Sequence, residues 1–98
     1  MTPLKANRID FSVHAIRRMF SRGILASDVR HAIETGEIIE EYPDDTPYPS
    51  ALLLAGIDDS PLHVVVAMDG AADRVIIVSL YRPDPLKWEP GFRKRRAM

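Results

Sequence analysis

The spacing of apolar residues along the chain changes character at Gly36. Before it, apolar side chains recur with the period of a helix; after it, they alternate or run together as in strands. Between Ile9 and Ser21, at about 100° per residue, Val13, Ile16, Met19 and Phe20 gather on one side. His14, Arg17, Arg18, Ser21 and Arg22 gather on the other. The pattern predicts a first helix over Ile9–Ser21 whose apolar side clamps the core, starting near Asp10 or Ser12, either of which can cap it. Gly23 is a natural left-handed stop, after which Ile24 and Leu25 are expected to point back into the core. Ser27 is the expected cap of a second helix, with Asp28 favourably placed in its first turn. Val29, Ala32 and Ile33 form its apolar stripe, and Gly36 ends it. Two short helices joined by a tight turn make a helical hairpin.

Residues 1–8 read as an irregular lead-in. Glu37–Tyr42 reads as a short edge strand, because its charges discourage pairing with a further strand. Residues 43–49 hold three prolines and two aspartates, a composition that belongs in a loop. Strands are expected at Ser50–Ile57, Leu62–Met68 and Arg74–Tyr81, with turns at Asp58–Pro61 and Asp69–Asp73. Pro83-Asp84-Pro85 then ends the sheet. The expected architecture is α+β: two N-terminal helices packed on one face of a four-stranded antiparallel β-meander. The 98 residues make a single domain, with its core at about residues 9–82 and a C-terminal segment at 83–98 that ends in a basic tail. Val64-Val65-Val66-Ala67 and Val75-Ile76-Ile77-Val78 are apolar on both faces, so something should cover the second face. The candidates are the C-terminal segment with Trp88 and Phe92, a second copy of the chain in a homodimer, or a partner protein.

Composition narrows the chemistry. Cysteine is absent, which excludes a disulfide scaffold, a thiol nucleophile and a thiolate metal site. No apolar run approaches the roughly 20 residues that span a bilayer, and the first residues have no apolar signal core. The expectation is a soluble cytoplasmic protein with no membrane contact. The net charge of −1 divides into +4 over Met1–His31, −10 over Ala32–Asp73 and +5 over Arg74–Met98. Two basic ends that met in space would offer a surface to a polyanion; otherwise helices and sheet exchange salt bridges across the fold.

His14, Arg18 and Arg22 are spaced four apart and form a ladder on one helix face. Imidazole moves a proton near neutral pH, and guanidinium grips phosphate oxygens. Metal-free cleavage of RNA needs such groups: one takes the 2′-OH proton, one protonates the leaving oxygen, and cations hold the phosphorane charge. The plainer alternative is a solvated polar helix face. His63 opens a strand, where a hydrogen-bonded core histidine competes with a catalyst. Tyr81 and Arg82 stand at a strand end, where a tyrosine can act as an acid or stack on a base. Arg17, Arg82 and the run Arg93, Lys94, Arg95, Arg96 are candidates for nucleic-acid binding without sequence preference. No zinc spacing, glycine-rich phosphate loop or calcium loop is present, so neither metal nor cofactor is expected.

The opening F-S-x-H-A-x-x-R-M-x-x-R-G-I, the middle G-E-I-I-E-x-Y-P-D-D-x-P-Y-P-S, the strand L-H-V-V-V-A and the closing Y-x-P-D-P-x-x-W-E carry a resemblance across residues 11–95. They resemble a widespread bacterial and archaeal family of small domains of unknown function, itself similar to the barnase/colicin/RelE-like toxin nucleases and to MqsR-like messenger-RNA interferases. The resemblance implies a toxin-type, metal-independent endoribonuclease acting on RNA. It also implies an antitoxin partner of the zinc-ribbon or helix-turn-helix type. On it, His14, Arg18, Arg22, His63 and Tyr81 stand at motif positions. The resulting expectation is His14 as general base or acid, Arg18 and Arg22 as phosphate clamps, and Tyr81 or His63 as second proton carrier. The alternative is a non-catalytic module that binds protein or nucleic acid. The enzyme reading requires His14, the arginines and Tyr81 or His63 around one concave site; groups scattered on opposite faces would leave only the binding module.

Overall fold

The structure, a computed structural model, describes residues 8–56 and 60–97. The expected lead-in up to residue 7, and Ile57, Asp58 and Asp59, lie outside the described residues. The elements are β1 (Arg8–Phe11), α1 (Val13–Arg22), α2 (Ala26–Thr35), β2 (Glu37–Tyr42), β3 (Ser50–Ala55), β4 (Leu62–Asp69) and β5 (Arg74–Tyr81). The strands form one five-stranded sheet in the order β1-β5-β4-β3-β2. No helix among the described residues is long and apolar enough to cross a membrane.

From β2 to β5 the sheet is the antiparallel meander that the alternation predicts. The α+β class holds, but the sheet has five strands and is mixed rather than four and antiparallel. The addition is β1, which runs parallel to β5 with Ile9 opposite Val75 and Phe11 opposite Ile77. The helical period had absorbed Ile9. Ser12 is the true cap, its side chain accepting the Ala15 N–H at 3.0 Å, so the residues before it are free to extend. Arg74 ties the parallel strand down: it reaches Asp10 of β1 and Asp69 of β4, each at 3.0 Å.

The rotation of α1 differs from expectation. Ala15 is fully buried against the sheet with Met19 half-buried beside it, whereas Val13 (65 %), Ile16 (51 %) and Phe20 (91 %) are exposed. The reason is mechanical. Ser12 donates its N–H to the Ile77 carbonyl (3.0 Å) and its Oγ–H to the Val78 carbonyl (2.8 Å). Pinned there, the first turn sets the helical phase, and the inward positions become 15, 19 and their neighbours. Alanine at the contact lets helix and sheet approach closely. Gly23 ends α1 in the left-handed conformation with φ 66°, as expected. α2 begins at Ala26, before the expected Ser27 cap, because the Asp28 carboxylate accepts the Leu25 N–H at 3.0 Å.

The two helices cover one sheet face, where Ala15, Ile24, Val29, Ala32 and Ile33 meet Leu53, Val64, Val66, Ile77 and Leu80. On the other face the C-terminal segment covers the region around His63. It folds back on itself between Trp88 and Arg95, with Glu89 N–H bonded to the Lys94 carbonyl and Arg96 N–H to the Lys87 carbonyl. Arg93 pairs with Glu37 at 2.8 Å and Arg95 with Glu40 at 2.9 Å. Exposed ion pairs of this kind contribute about 0–1 kcal/mol each. Losing a buried Trp typically costs about 3–5 kcal/mol. Trp88, 3 % exposed, therefore fastens the segment more than the salt bridges do. The basic run is held against the acidic edge strand, not free as a tail.

The inward position of Ala15 makes a prediction opposite to the one its neighbours suggest. Ala15→Leu should overpack the contact and lower stability by about 1–3 kcal/mol. Phe20→Ser, on the outer side, should change stability by less than about 0.5 kcal/mol. Urea unfolding of the two variants checks both values.

Candidate functional site

A step in register creates the site. Ile77 lies opposite Val66, yet Ser79 lies opposite Val65, so Val78 is the extra residue of a bulge. Before the bulge, odd residues of β5 (Val75, Ile77) face the helices. After it, Leu80 does, and Ser79 and Tyr81 turn to the other face. Tyr81 thereby comes directly opposite His63.

His63 is completely buried. Its Nε2 is 2.9 Å from the Phe92 carbonyl and its Nδ1 is 3.2 Å from the Tyr81 hydroxyl. A carbonyl only accepts, so Nε2 carries the hydrogen and donates it. Burial pushes the imidazole's pKa below its ordinary value near 6.5, and this outweighs the Phe92 carbonyl and the Glu40 carboxylate, which favour the charged form. The ring is therefore neutral at pH 7, and Nδ1 accepts the Tyr81 O–H. Burial also raises the Tyr81 phenol, which stays protonated. Trp88 packs edge-on against the ring at a centroid distance of 4.4 Å, and Tyr81 does so at 5.2 Å.

Charge surrounds this pair. Arg95 lies over the Trp88 ring, 4.6 Å from its centroid, and binds Glu40 through Nε and Nη2. Arg95 holds the Glu40 carboxyl below its usual range. Glu40 also accepts the Tyr42 O–H. A hollow of about 320 Å³ opens over Tyr81, lined by Tyr81, Arg82, Asp84, Lys87, Trp88 and Arg95. Three of these six are cations, against one carboxylate. Arg82 is steadied by the Ser60 and Pro61 carbonyls at 3.0 and 3.1 Å. A larger hollow of about 370 Å³ beside α2 and β3 brings together no comparable proton-transfer pair among the described residues: Glu37 and Arg93 on its wall are bonded to each other, and His31 makes no side-chain hydrogen bond among those residues. Among the described residues no three His, Cys, Asp or Glu side chains converge as metal ligands would.

Of the expected site residues, His63, Tyr81, Arg82 and Arg95 come together. His14, Arg18 and Arg22 do not join them. They stand on α1, on the sheet face opposite His63, and with Arg17 form no side-chain hydrogen bond or ion pair among the described residues. Arg93 is spent on Glu37 and Arg96 on the Pro85 carbonyl, which leaves Lys94 as the one residue of the basic run whose side chain has no partner among the described residues. Sequence reasoning missed Glu40, Lys87 and Asp84. Glu40 and Tyr42 carried a usable signal, because alternate strand residues share a face.

Residues 11–82 match the family model described as Domain of unknown function (DUF4258), and the chain belongs to that family. No curated protein and no solved structure is significantly similar to it.

The burial of His63 fixes the sign of a pH effect. As pH falls below about 6.5, the unfolded chain takes up a proton that folded His63 refuses, so stability must fall. The carboxyls of Asp10, Glu40 and Asp69 are shifted down, so their contributions are lost only at lower pH. The urea midpoint should therefore drop between about pH 7.5 and pH 5.5. In His63→Gln it should start lower and change less across that window.

Proposed function

We propose that this member of the DUF4258 family is a metal-independent endoribonuclease of the toxin type, cutting single-stranded RNA at the hollow over Tyr81. One observation carries the reading: a half-buried tyrosine in the lining of a cation-rich hollow, its hydroxyl donating to a buried neutral histidine. Such a hydroxyl can accept a proton and pass its own on. As the 2′-oxygen of RNA attacks the adjacent phosphorus, its proton goes to the Tyr81 oxygen and the Tyr81 proton goes to His63 Nδ1. The bond from phosphorus to the 5′-oxygen breaks, giving a 2′,3′-cyclic phosphate and a 5′-hydroxyl. The Phe92 carbonyl and Glu40 stabilise the imidazolium that forms. Arg82 and Arg95 face the phosphorane charge. Lys87, the other proton donor of the lining, protonates the leaving oxygen. Resemblance to the RelE-like and MqsR-like toxins supports the reading and implies an antitoxin as the second partner.

The expected assembly of His14, Arg18 and Arg22 with Tyr81 and His63 is not formed, so the enzyme reading rests on Tyr81, His63 and the cations of the hollow alone, and the separation of α1 favours one other reading. If His14, Arg17, Arg18 and Arg22 bind a ligand without reacting, the protein is a binding module. Cleavage of single-stranded RNA in EDTA by partner-free protein decides between them. Tyr81→Phe should reduce cleavage by about 10²–10⁴-fold, the usual share of a positioned proton carrier. His14→Ala should leave it within a few-fold. Loss with His14→Ala alone would move the chemistry to α1, and no cleavage by the parent protein would leave the binding module.

A further inference from the structure

The outer side of α1 is unused by the fold and by the site over Tyr81. Val13, Ile16 and Phe20 recur at helical spacing and project away from the sheet, and Leu25, 63 % exposed, follows past the turn. Phe20 at 91 % exposure is the most exposed large apolar side chain among the described residues. Arg17 flanks this stripe, one position on from Ile16, while His14, Arg18 and Arg22 lie further round the helix. The helix has no acidic residue, and none of its cations is paired among the described residues. A scattered exposed apolar residue needs no explanation, but a helix that turns its apolar stripe outward and keeps alanine for the core does.

The geometry points to α1 as a docking face for a segment of another protein that is apolar along one side and carries carboxylates beside it. Charge selects this occupant over the alternatives. Two copies of α1 packed stripe to stripe would bring together two faces that each carry Arg17 at the edge and no acid to answer it, and like charges across an interface oppose association. An anionic bilayer would meet a chain of net charge −1, ten of whose acidic residues lie between Ala32 and Asp73. An acidic amphipathic helix satisfies both features: its apolar side covers Val13, Ile16 and Phe20, and its Glu or Asp residues reach Arg17 at the stripe's edge. The face lies on the opposite side of the sheet from the Tyr81–His63 pair, so the inference does not depend on the ribonuclease reading.

The test uses the full chain and a designed probe, a 20-residue peptide of Leu and Glu patterned as an amphipathic helix. A peptide with Lys in place of each Glu is the control. The acidic peptide should bind, weaken as salt rises, and lose about tenfold or more in affinity to Phe20→Ser, as expected for a central aromatic anchor. Arg17→Glu should weaken it as well. The lysine peptide should not bind. Phe20 lies outside the core of the described residues, so its variant remains folded, which circular dichroism verifies. Equal binding of both peptides, or acidic-peptide binding indifferent to Phe20→Ser, overturns the proposal. Phe20-dependent dimerisation in sedimentation would assign the face to a second copy instead. Phe20-dependent binding to phosphatidylglycerol vesicles would assign it to a membrane. A loss of RNA binding in Phe20→Ser would assign it to nucleic acid.

Discussion

At Val78 the last strand steps out of register with β4, and Ser12 binds the carbonyls of Ile77 and Val78 at the step. These contacts organise both sides of the molecule. On one side they pin the first turn of α1, fixing which residues of that helix meet the sheet. On the other, the step reverses the alternation of β5 and carries Tyr81 to the face that holds His63. Without the extra residue, Tyr81 would project toward the helices and His63 Nδ1 would lack its donor. A buried polar group without a partner costs about 1–3 kcal/mol, so bulge and histidine support each other.

His63 has a second dependence, on the C-terminal segment. Phe92 has a positive φ of 58° and Gly91 one of 91°. That turn carries the Phe92 carbonyl to the ring, where it accepts the Nε2 hydrogen. The segment does not merely shield an apolar face. It fixes the tautomer of the histidine beneath it and brings Arg95 and Lys87 to the rim of the hollow. The positive C-terminal stretch therefore serves structure and site at once: Arg93 and Arg95 settle on the acidic edge strand, while Lys87 remains available. The cations of α1 are not consumed in this way among the described residues, which is why they mark a separate surface.

Much of the fold was legible in the chain because its signals were local. Gly23 and Gly36, the proline-rich loop and the apolar runs of β3, β4 and β5 placed six of the seven elements. β1 was not legible: four residues with two apolar positions cannot display a period, and the partner that holds the strand extended lies more than sixty residues away. The face of α1 was misread for a related reason. Periodicity reports that a helix is amphipathic but not which way it turns. Here a serine cap bonded to a distant strand decided the rotation, and alanine rather than phenylalanine went inward. The site was half legible. His63 and Tyr81 drew attention as residue types, but their pairing needed a bulge that an unbroken apolar run conceals. The histidine–arginine ladder of α1 drew attention by spacing, yet it lies on the other side of the sheet.

The site depends on His63 being a neutral imidazole that carries its hydrogen on Nε2, with Nδ1 accepting from Tyr81. Nitrogen-15 NMR of the labelled imidazoles across a pH series measures this directly. One of the three histidines should show the Nε2–H tautomer, with Nδ1 hydrogen-bonded, and titrate below the ordinary value near 6.5. Its Nδ1 resonance should shift in Tyr81→Phe. A His63 found as the Nδ1–H tautomer, or charged at pH 7, would contradict it.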